Sequence, residues 1–407
     1  MLSQITEEVR CNSIEELIDA IERPPVFAAD DNGSRIIQGH QQRYDSQLKG
    51  HYFLRGQSYV FRGVKSSEFS LMPSLFRNIG DDNFERRIAQ LVGLNRYNGG
   101  FELPHFSSFN GNMSEEAYKV RISLIMEFYS LCAFYKNANL NGLRVPPIRA
   151  FDEVHSTSEF NIYGGEGEIV RKYLGSRDKY GQCENCPFTE YEALGALAQH
   201  YGIATRLLDW SYDPMAALYF AVIEAANTII ENNFGSEDTC AVWVMDVGNL
   251  APYTQNKLRV VTPPYFDNPN LSAQKGVLAH WNAANLTEYM LPLDEQIAAY
   301  YSSRMDCKQL LSRKLFYKYT LPYSEIKHAL HYLIIKGYTA ARLFPGYQGV
   351  VKSFDEYRLF QLLCEPELVK KHLDSFNEGI NNAANTIHID LRGVGTWSAE
   401  DDKEEDI

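Results

Sequence analysis

The chain has 407 residues, with 39 Lys and Arg against 52 Asp and Glu, for a formal net charge of -13 at pH 7. Apolar residues make up 45% and charged residues 22%, fractions that exclude a wholly disordered chain. The acidic balance excludes a protein that coats nucleic acid through its overall charge, though it leaves room for a local basic groove.

In chain order, 1–50 reads as an N-terminal helical and loop segment. Its helix spans 13–21, with Ser13 as N-cap and Glu16 completing a capping box. Residues 51–63 are aromatic-rich, bounded by glycine, and predict one or two short strands. A helix is predicted over 118–135, where Val120, Leu124, Met126, Phe128, Leu131 and Phe134 keep one broad face apolar. The stretch 139–190 is rich in Gly, Pro and Asn and reads as an inserted loop region. A helix over 191–201 is stopped by Gly202, and Asp213 with Pro214 opens another as N-cap and first helical residue. Strands are expected at 240–247 and 314–321, and helices at 323–336, ending at Gly337, and at 359–373. This order predicts an α+β fold. No internal repeat, Gly-x-Gly-x-x-Gly pattern or Walker loop is present.

Seven cysteines at scattered positions do not form a disulfide framework and fit a reducing compartment, so a cytoplasmic location is expected. The first residues show no signal-peptide pattern. No apolar run approaches the ~20 residues of a membrane span. The nearest, 216–230, is interrupted by Glu224 and Asn227, so no membrane partner is expected. The tail from Glu400 to Asp406 is acidic and reads as solvated.

Three segments are more specific than composition: FRGVKSSEFSLMPSLFR at 61–77, AQHYGIATRLLDWSYDPMAALYFA at 198–221 and LFPGYQG at 343–349. Together they resemble the FRG-domain family, with a layout similar to the ADP-ribosyltransferase fold. The resemblance implies a split mixed β-sheet core with helical and loop insertions. The domain would run over 51–365, with insertions at 78–117 and 139–190, followed by a C-terminal extension at 366–407. It further implies NAD as substrate and transfer of ADP-ribose to RNA, DNA or protein, in a toxin or antiphage defence effector with a neutralising antitoxin partner.

Carried onto this chain, the resemblance makes Arg62 the group that holds the NAD diphosphate or ribose, with Gly63 letting backbone approach the ligand. His200 and Tyr201 would line the nicotinamide side, the histidine suited to proton transfer and the tyrosine to stacking. Thr205, Arg206, Asp209 and Trp210 would complete the cofactor-binding set. Each residue has a plainer alternative: Arg62 paired to Asp209, His200 as a core histidine, and Arg206 bridged to Asp209 to pin the fold.

Glycosidic cleavage through an oxocarbenium-like state favours a nearby carboxylate. Glu295 and Glu356 are the late-chain candidates, but neither stands in a clear Glu-x-Glu or Gln-x-Glu pattern. That departure keeps a second function open, a non-catalytic module binding nucleotide, sugar or RNA, and a third, a structural subunit.

Cys183 and Cys186 have zinc-ligand spacing but form a single pair where a structural zinc site needs four ligands, which His155 upstream and His200 downstream could complete, the alternative being two loop thiols. Arg144, Arg149, Arg171, Lys172, Arg177 and Lys179, interleaved with Tyr163, Tyr173 and Tyr180, give the insertion a local basic character that suits an RNA acceptor or a solvated loop.

Overall fold

The computed structural model describes residues 4–22, 59–77, 114–148, 187–232, 238–250 and most of 254–365, with isolated positions in 84–93 and 371–377. The elements are β1 (Thr6–Arg10), α1 (Ile14–Glu22), β2 (Tyr59–Val64), α2 (Glu115–Leu140), α3 (Glu192–His200), β3 (Leu208–Ser211), α4 (Pro214–Asn232), β4 (Thr239–Asp246), α5 (Val247–Leu250), β5 (Leu258–Val261), α6 (Pro269–Ala273), β6 (Gly276–Trp281), α7 (Leu293–Ser303), β7 (Phe316–Pro322), α8 (Ile326–Ile335), α9 (Ala340–Leu343) and α10 (Tyr347–Cys364). Short 3₁₀ turns at Pro187–Tyr191, Leu286–Met290 and Tyr323–Glu325 complete the set.

The seven strands form one mixed sheet in the order β1-β7-β4-β2-β3-β6-β5. β1 runs parallel to β7, and the other pairings are antiparallel. The N-terminal segment therefore supplies an edge strand of the central sheet.

Period-two alternation sorts the strand residues into two layers. Phe61, Cys240, Val242, Val244, Tyr317 and Tyr319 pack on the α1, α4, α8, α9 and α10 side. Val60, Val64, Ala241, Trp243, Met245 and Phe316 pack on the opposite face, with Leu293, Ile297 and Tyr301 of α7. A third cluster joins α2 and α3 to Phe188, Leu207 and Leu278.

Local signals explain the element ends. Asp213 Oδ1 accepts from the Met215 N–H at 3.0 Å, capping α4 ahead of Pro214. Ser13 Oγ accepts from the Glu16 N–H at 3.3 Å, while Glu16 reaches back to the Asn12 N–H at 2.7 Å. The box thus closes one residue further out than the usual pattern. Gly202 and Gly337 adopt φ values of 94° and 71° after α3 and α8, the left-handed turn that glycine tolerates best.

The structure corrects several expectations. The helix expected at 118–135 runs over Glu115–Leu140 and is buried on more than one face, including Ile122, Ser123 and Glu127. The helix expected at 359–373 is α10, which begins twelve residues earlier. β1, β3, β5 and β6 carry no strand signal recognised in the sequence. Cys11, Cys132, Cys240 and Cys364, the described cysteines, are unpaired thiols. Among the described residues no helix is long and apolar enough to cross a membrane.

Candidate functional site

β2 pairs with β4 through six residue pairs but with β3 through one, Phe61 with Ser211. The pairing narrows there to a single bridge within the continuous seven-stranded sheet. Arg62, the next residue, reaches across to β3: its Nη1 donates to the main-chain carbonyl of Asp209 at 2.7 Å and stands 3.9 Å from the Asp209 carboxylate. The Arg62 side chain is 13% exposed, and its Nε is buried with no hydrogen-bond partner. Burial lowers its pKa from the ordinary value, Asp209 opposes that shift, and Arg77 adds to it as a like charge.

A cleft of about 270 Å³ opens beside that bridge, lined by Arg62, Ser74, Arg77, Gln199, Gly202, Ile203, Ala204, Leu207 and Asp209. The turn after β2 brings Arg77 in. The Arg77 N–H donates to Pro73 O at 3.1 Å, its Nε donates to Met72 O at 2.8 Å, and the Leu75 N–H donates to Thr205 O at 3.3 Å. Gln199 connects two other residues of the site. Its Nε2 donates to Asp209 Oδ1 at 2.5 Å, and its Oε1 accepts from the Thr205 hydroxyl. Thr205 Oγ1 in turn accepts from the Leu207 N–H at 3.2 Å, which fixes the bend before β3.

Gly63 has a different job from the one expected. A Cβ there would stand 1.9 Å from the Ala217 carbonyl oxygen and 2.8 Å from the Ala221 nitrogen, so the glycine admits α4 against β2, and it does not line the cleft. Phe61 is core. Trp210 is also core, 4% exposed among Leu208, Val277 and Trp281, with no face open for stacking.

Arg206 does not bridge Asp209. It is held by Glu127 of α2, which is fully buried: Oε1 accepts from the Arg206 N–H at 2.7 Å, Oε2 accepts from Nε at 2.8 Å, and the charged Nη2 stands 2.7 Å from Oε2 as an ion pair. The Phe188 ring lies 4.4 Å from its guanidinium carbon. Residue 206 precedes β3 and Asp209 lies on it, so the helical-turn geometry that would face the two together is missing. Arg206 is placed in the core rather than in the cleft.

His200 and Tyr201 end α3 beside the cleft but do not line it. Their neighbours Gln199 and Gly202 do. Asn270 Nδ2 donates to His200 Nε2 at 3.1 Å, and partial burial lowers the imidazole pKa against the pull of Asp209. Tyr201 is 70% exposed and lies nearly parallel to Phe134, ring centroids 6.4 Å apart.

Neither expected carboxylate lines the cleft. Glu356 is buried on α10, where Oε1 accepts from the Tyr219 hydroxyl and from the Ala340 N–H, both at 2.6 Å. It ties α10 to α4 and α9. Glu295 sits on α7, beside the buried Asp294 that accepts from Thr6 Oγ1 at 2.7 Å. The carboxylate that does line the cleft is Asp209, and a second, Glu224 of α4, lies in the field of Lys65, Arg62 and Arg77.

Among the described residues no group of three or more His, Cys, Asp or Glu is arranged to hold a metal. Cys183, Cys186, His155 and the basic positions 149–179 lie outside the described residues. Sequence reasoning missed Gln199 and Arg77, although both stand in the quoted segments, at the start of QHYG and at the end of LMPSLFR.

Compared with known proteins, residues 160–228 match the family model of the FRG domain, which covers α3, β3 and most of α4. No curated protein and no solved structure matches the chain.

Proposed function

We propose, taking the FRG-domain match over residues 160–228 as the premise, that the protein is an NAD-consuming ADP-ribosyltransferase-like effector acting on a macromolecule. One observation carries this reading: two arginines, Arg62 and Arg77, share a cleft beside the single β2–β3 bridge with Asp209 and Gln199. Guanidinium forks suit phosphate oxygens. In the reaction, the bond between the ribose C1′ and the nicotinamide nitrogen breaks and neutral nicotinamide departs. A nucleophile of the acceptor then bonds to C1′ and loses its proton to solvent. Asp209 is the carboxylate nearest to hand for the cationic sugar carbon. The acceptor class proposed is RNA, DNA or protein, and a toxic effector of this kind calls for a neutralising partner.

The test is release of nicotinamide from NAD by purified protein, with labelled ADP-ribose followed into RNA, DNA and protein fractions of a lysate. Release that disappears in a folded Arg62→Ala variant supports the proposal. No release in the presence of any fraction overturns it.

A second reading, a recognition module for a nucleotide, sugar or RNA without turnover, is favoured by the positions of Glu295 and Glu356 outside the cleft. NAD or ADP-ribose binding without cleavage would select it.

A further inference from the structure

α10 turns an apolar stripe outward. Tyr347, Val350, Val351, Phe354 and Tyr357 recur at the spacing i, i+3, i+4, i+7 and i+10, which lines one side of a helix. All five are exposed, Tyr347 to 93% and Phe354 to 65%, and none belongs to the three core clusters. The opposite side of the same helix is fixed to the body, with Gly349, Ser353, Glu356 and Leu359 buried. Glu356 accepts from the Tyr219 hydroxyl of α4 and from the Ala340 N–H of α9. A Cβ at Gly349 would stand 1.9 Å from the Phe344 carbonyl oxygen, so the helix is pressed onto the turn before it. The stripe is therefore held in place before any partner arrives, which lowers the cost of docking.

Area, order and charge choose the occupant. A fully exposed aromatic side chain presents about 150–250 Å², so the exposed fractions of the five residues put the apolar face at roughly 500 Å². A standard interface takes about 800 Å² from each partner, about 65% of it apolar in homodimers, which is again roughly 500 Å². The stripe also reads alike in both directions, with a tyrosine at each end and valine beside phenylalanine between them. A two-fold interface needs that self-complementarity. With two copies of α10 antiparallel about an axis near residue 352, Tyr347 meets the partner's Tyr357, and Val350 and Val351 meet the partner's Phe354. Charge does not oppose the pairing. Lys352 Nζ turns back over the Phe344 ring, 4.6 Å from its centroid, and Arg358 pairs with Asp355 at 3.5 Å. The two acids of this stretch, Asp355 and Glu356, are thus both engaged. The net charge of -13 on each chain lies mostly elsewhere, where physiological salt screens it beyond ~8 Å.

We infer that α10 is a dimerisation helix, on which a second copy of this chain docks across a two-fold axis. None of the residues lining the cleft lies on α8, α9 or α10. Each copy keeps its own cleft open in the pair, and the inference stands apart from the proposed function.

Sedimentation velocity of the full chain over a micromolar concentration series tests it. Wild type is expected to form a species of twice the 46.5 kDa chain mass. Phe354→Glu and Tyr347→Glu are each expected to weaken self-association about thirtyfold or more, since a two-fold interface meets every substitution twice. Far-UV circular dichroism reports whether each variant keeps its fold. Tyr347, exposed almost completely at the first turn of α10, is the position where a glutamate disturbs the single chain least. Loss of the dimer in Tyr347→Glu with the wild-type spectrum retained supports the inference even where Phe354→Glu fails to fold. A wild type that stays monomeric throughout the series overturns it, whether or not that monomer binds phosphatidylcholine–phosphatidylglycerol vesicles or another protein through the same stripe. A dimer that survives both substitutions overturns it as well, because the contact then lies on another surface.

Discussion

Arg62 holds Asp209 by its main chain: the guanidinium is 2.7 Å from the Asp209 carbonyl oxygen and 3.9 Å from its carboxylate. The contact that joins β2 to β3 beyond their single bridge is therefore independent of the side chain at 209. Asp209→Ala is expected to change stability by about 0–1 kcal/mol, the usual worth of an exposed ion pair. A urea titration checks this. A loss of several kcal/mol would mean that the carboxylate, not the carbonyl, anchors Arg62. Arg62→Ala is expected to abolish ligand binding.

Arg206 belongs to a buried pair with Glu127, so its removal strands a charge in the core. Arg206→Ala and Glu127→Ala are each expected to cost about 3–5 kcal/mol. Chemical denaturation of both variants measures it. If Arg206→Ala keeps its stability but loses NAD affinity, the residue serves the ligand after all.

Gly63→Ala forces a methyl group into the Ala217 carbonyl. Main-chain oxygen cannot swing aside, so β2 and α4 must separate. The expected penalty is at least the ~1–3 kcal/mol of an overpacked core. Thermal melts of the variant report it, and an unchanged midpoint would show that the helix can retreat freely.

Glu356→Gln and Glu295→Gln are expected to leave NAD cleavage and ligand affinity intact, since neither carboxyl lines the cleft. Glu356→Ala is expected to destabilise by about 1–3 kcal/mol, because the Tyr219 hydroxyl and the Ala340 N–H lose their shared acceptor. Loss of turnover in either glutamine variant would return that residue to the chemistry.

Acid sensitivity is expected to centre on His280 and Glu192. The His280 Nε2–H donates to Glu192 Oε1 at 2.9 Å, and Arg259 Nε donates to the same oxygen at 2.9 Å. Burial pushes the imidazole below its ordinary value of 6.5, against the pull of Glu192. Hydrogen bonds and charge from His280 and Arg259 hold the Glu192 carboxyl below 4.5 despite burial. Both groups bind protons more readily in the unfolded chain. Their contribution to stability is complete above the unfolded values and is lost as pH falls, first below about 6.5 for His280 and then below about 4.5 for Glu192. Melts of His280→Gln between pH 7 and pH 5 are expected to show a shallower decline than wild type, and an equal slope would remove His280 from the account.

Local features were legible where they depend on neighbours in sequence. The Asp213–Pro214 start of α4 and the glycine stops after α3 and α8 need only a cap and a left-handed turn. The first turns of α10 were hidden because Tyr347, Val350, Val351 and Phe354 are apolar yet exposed, which leaves no single buried face to read. β3 is four residues long, too short for its period to separate strand from helical turn. In the candidate cleft, the FRG segment supplies Arg62 and the QHYG segment supplies Gln199 and Gly202. The partner of Arg206, however, lies 79 residues upstream on another helix, and no spacing rule reaches that far. Arg77 was overlooked because nothing local shows that its turn folds back onto Thr205.

The three letters of the Phe-Arg-Gly triplet answer to separate demands. Position 61 fills a layer and accepts any side chain of like volume. Position 63 admits nothing beyond hydrogen, because the helix above it leaves no room. Position 62 reaches across to the Asp209 main chain and lines the cleft, so it answers to the sheet and to the cleft together. A substitution at the middle letter therefore tests fold and cleft at once, whereas one at either outer letter tests packing alone.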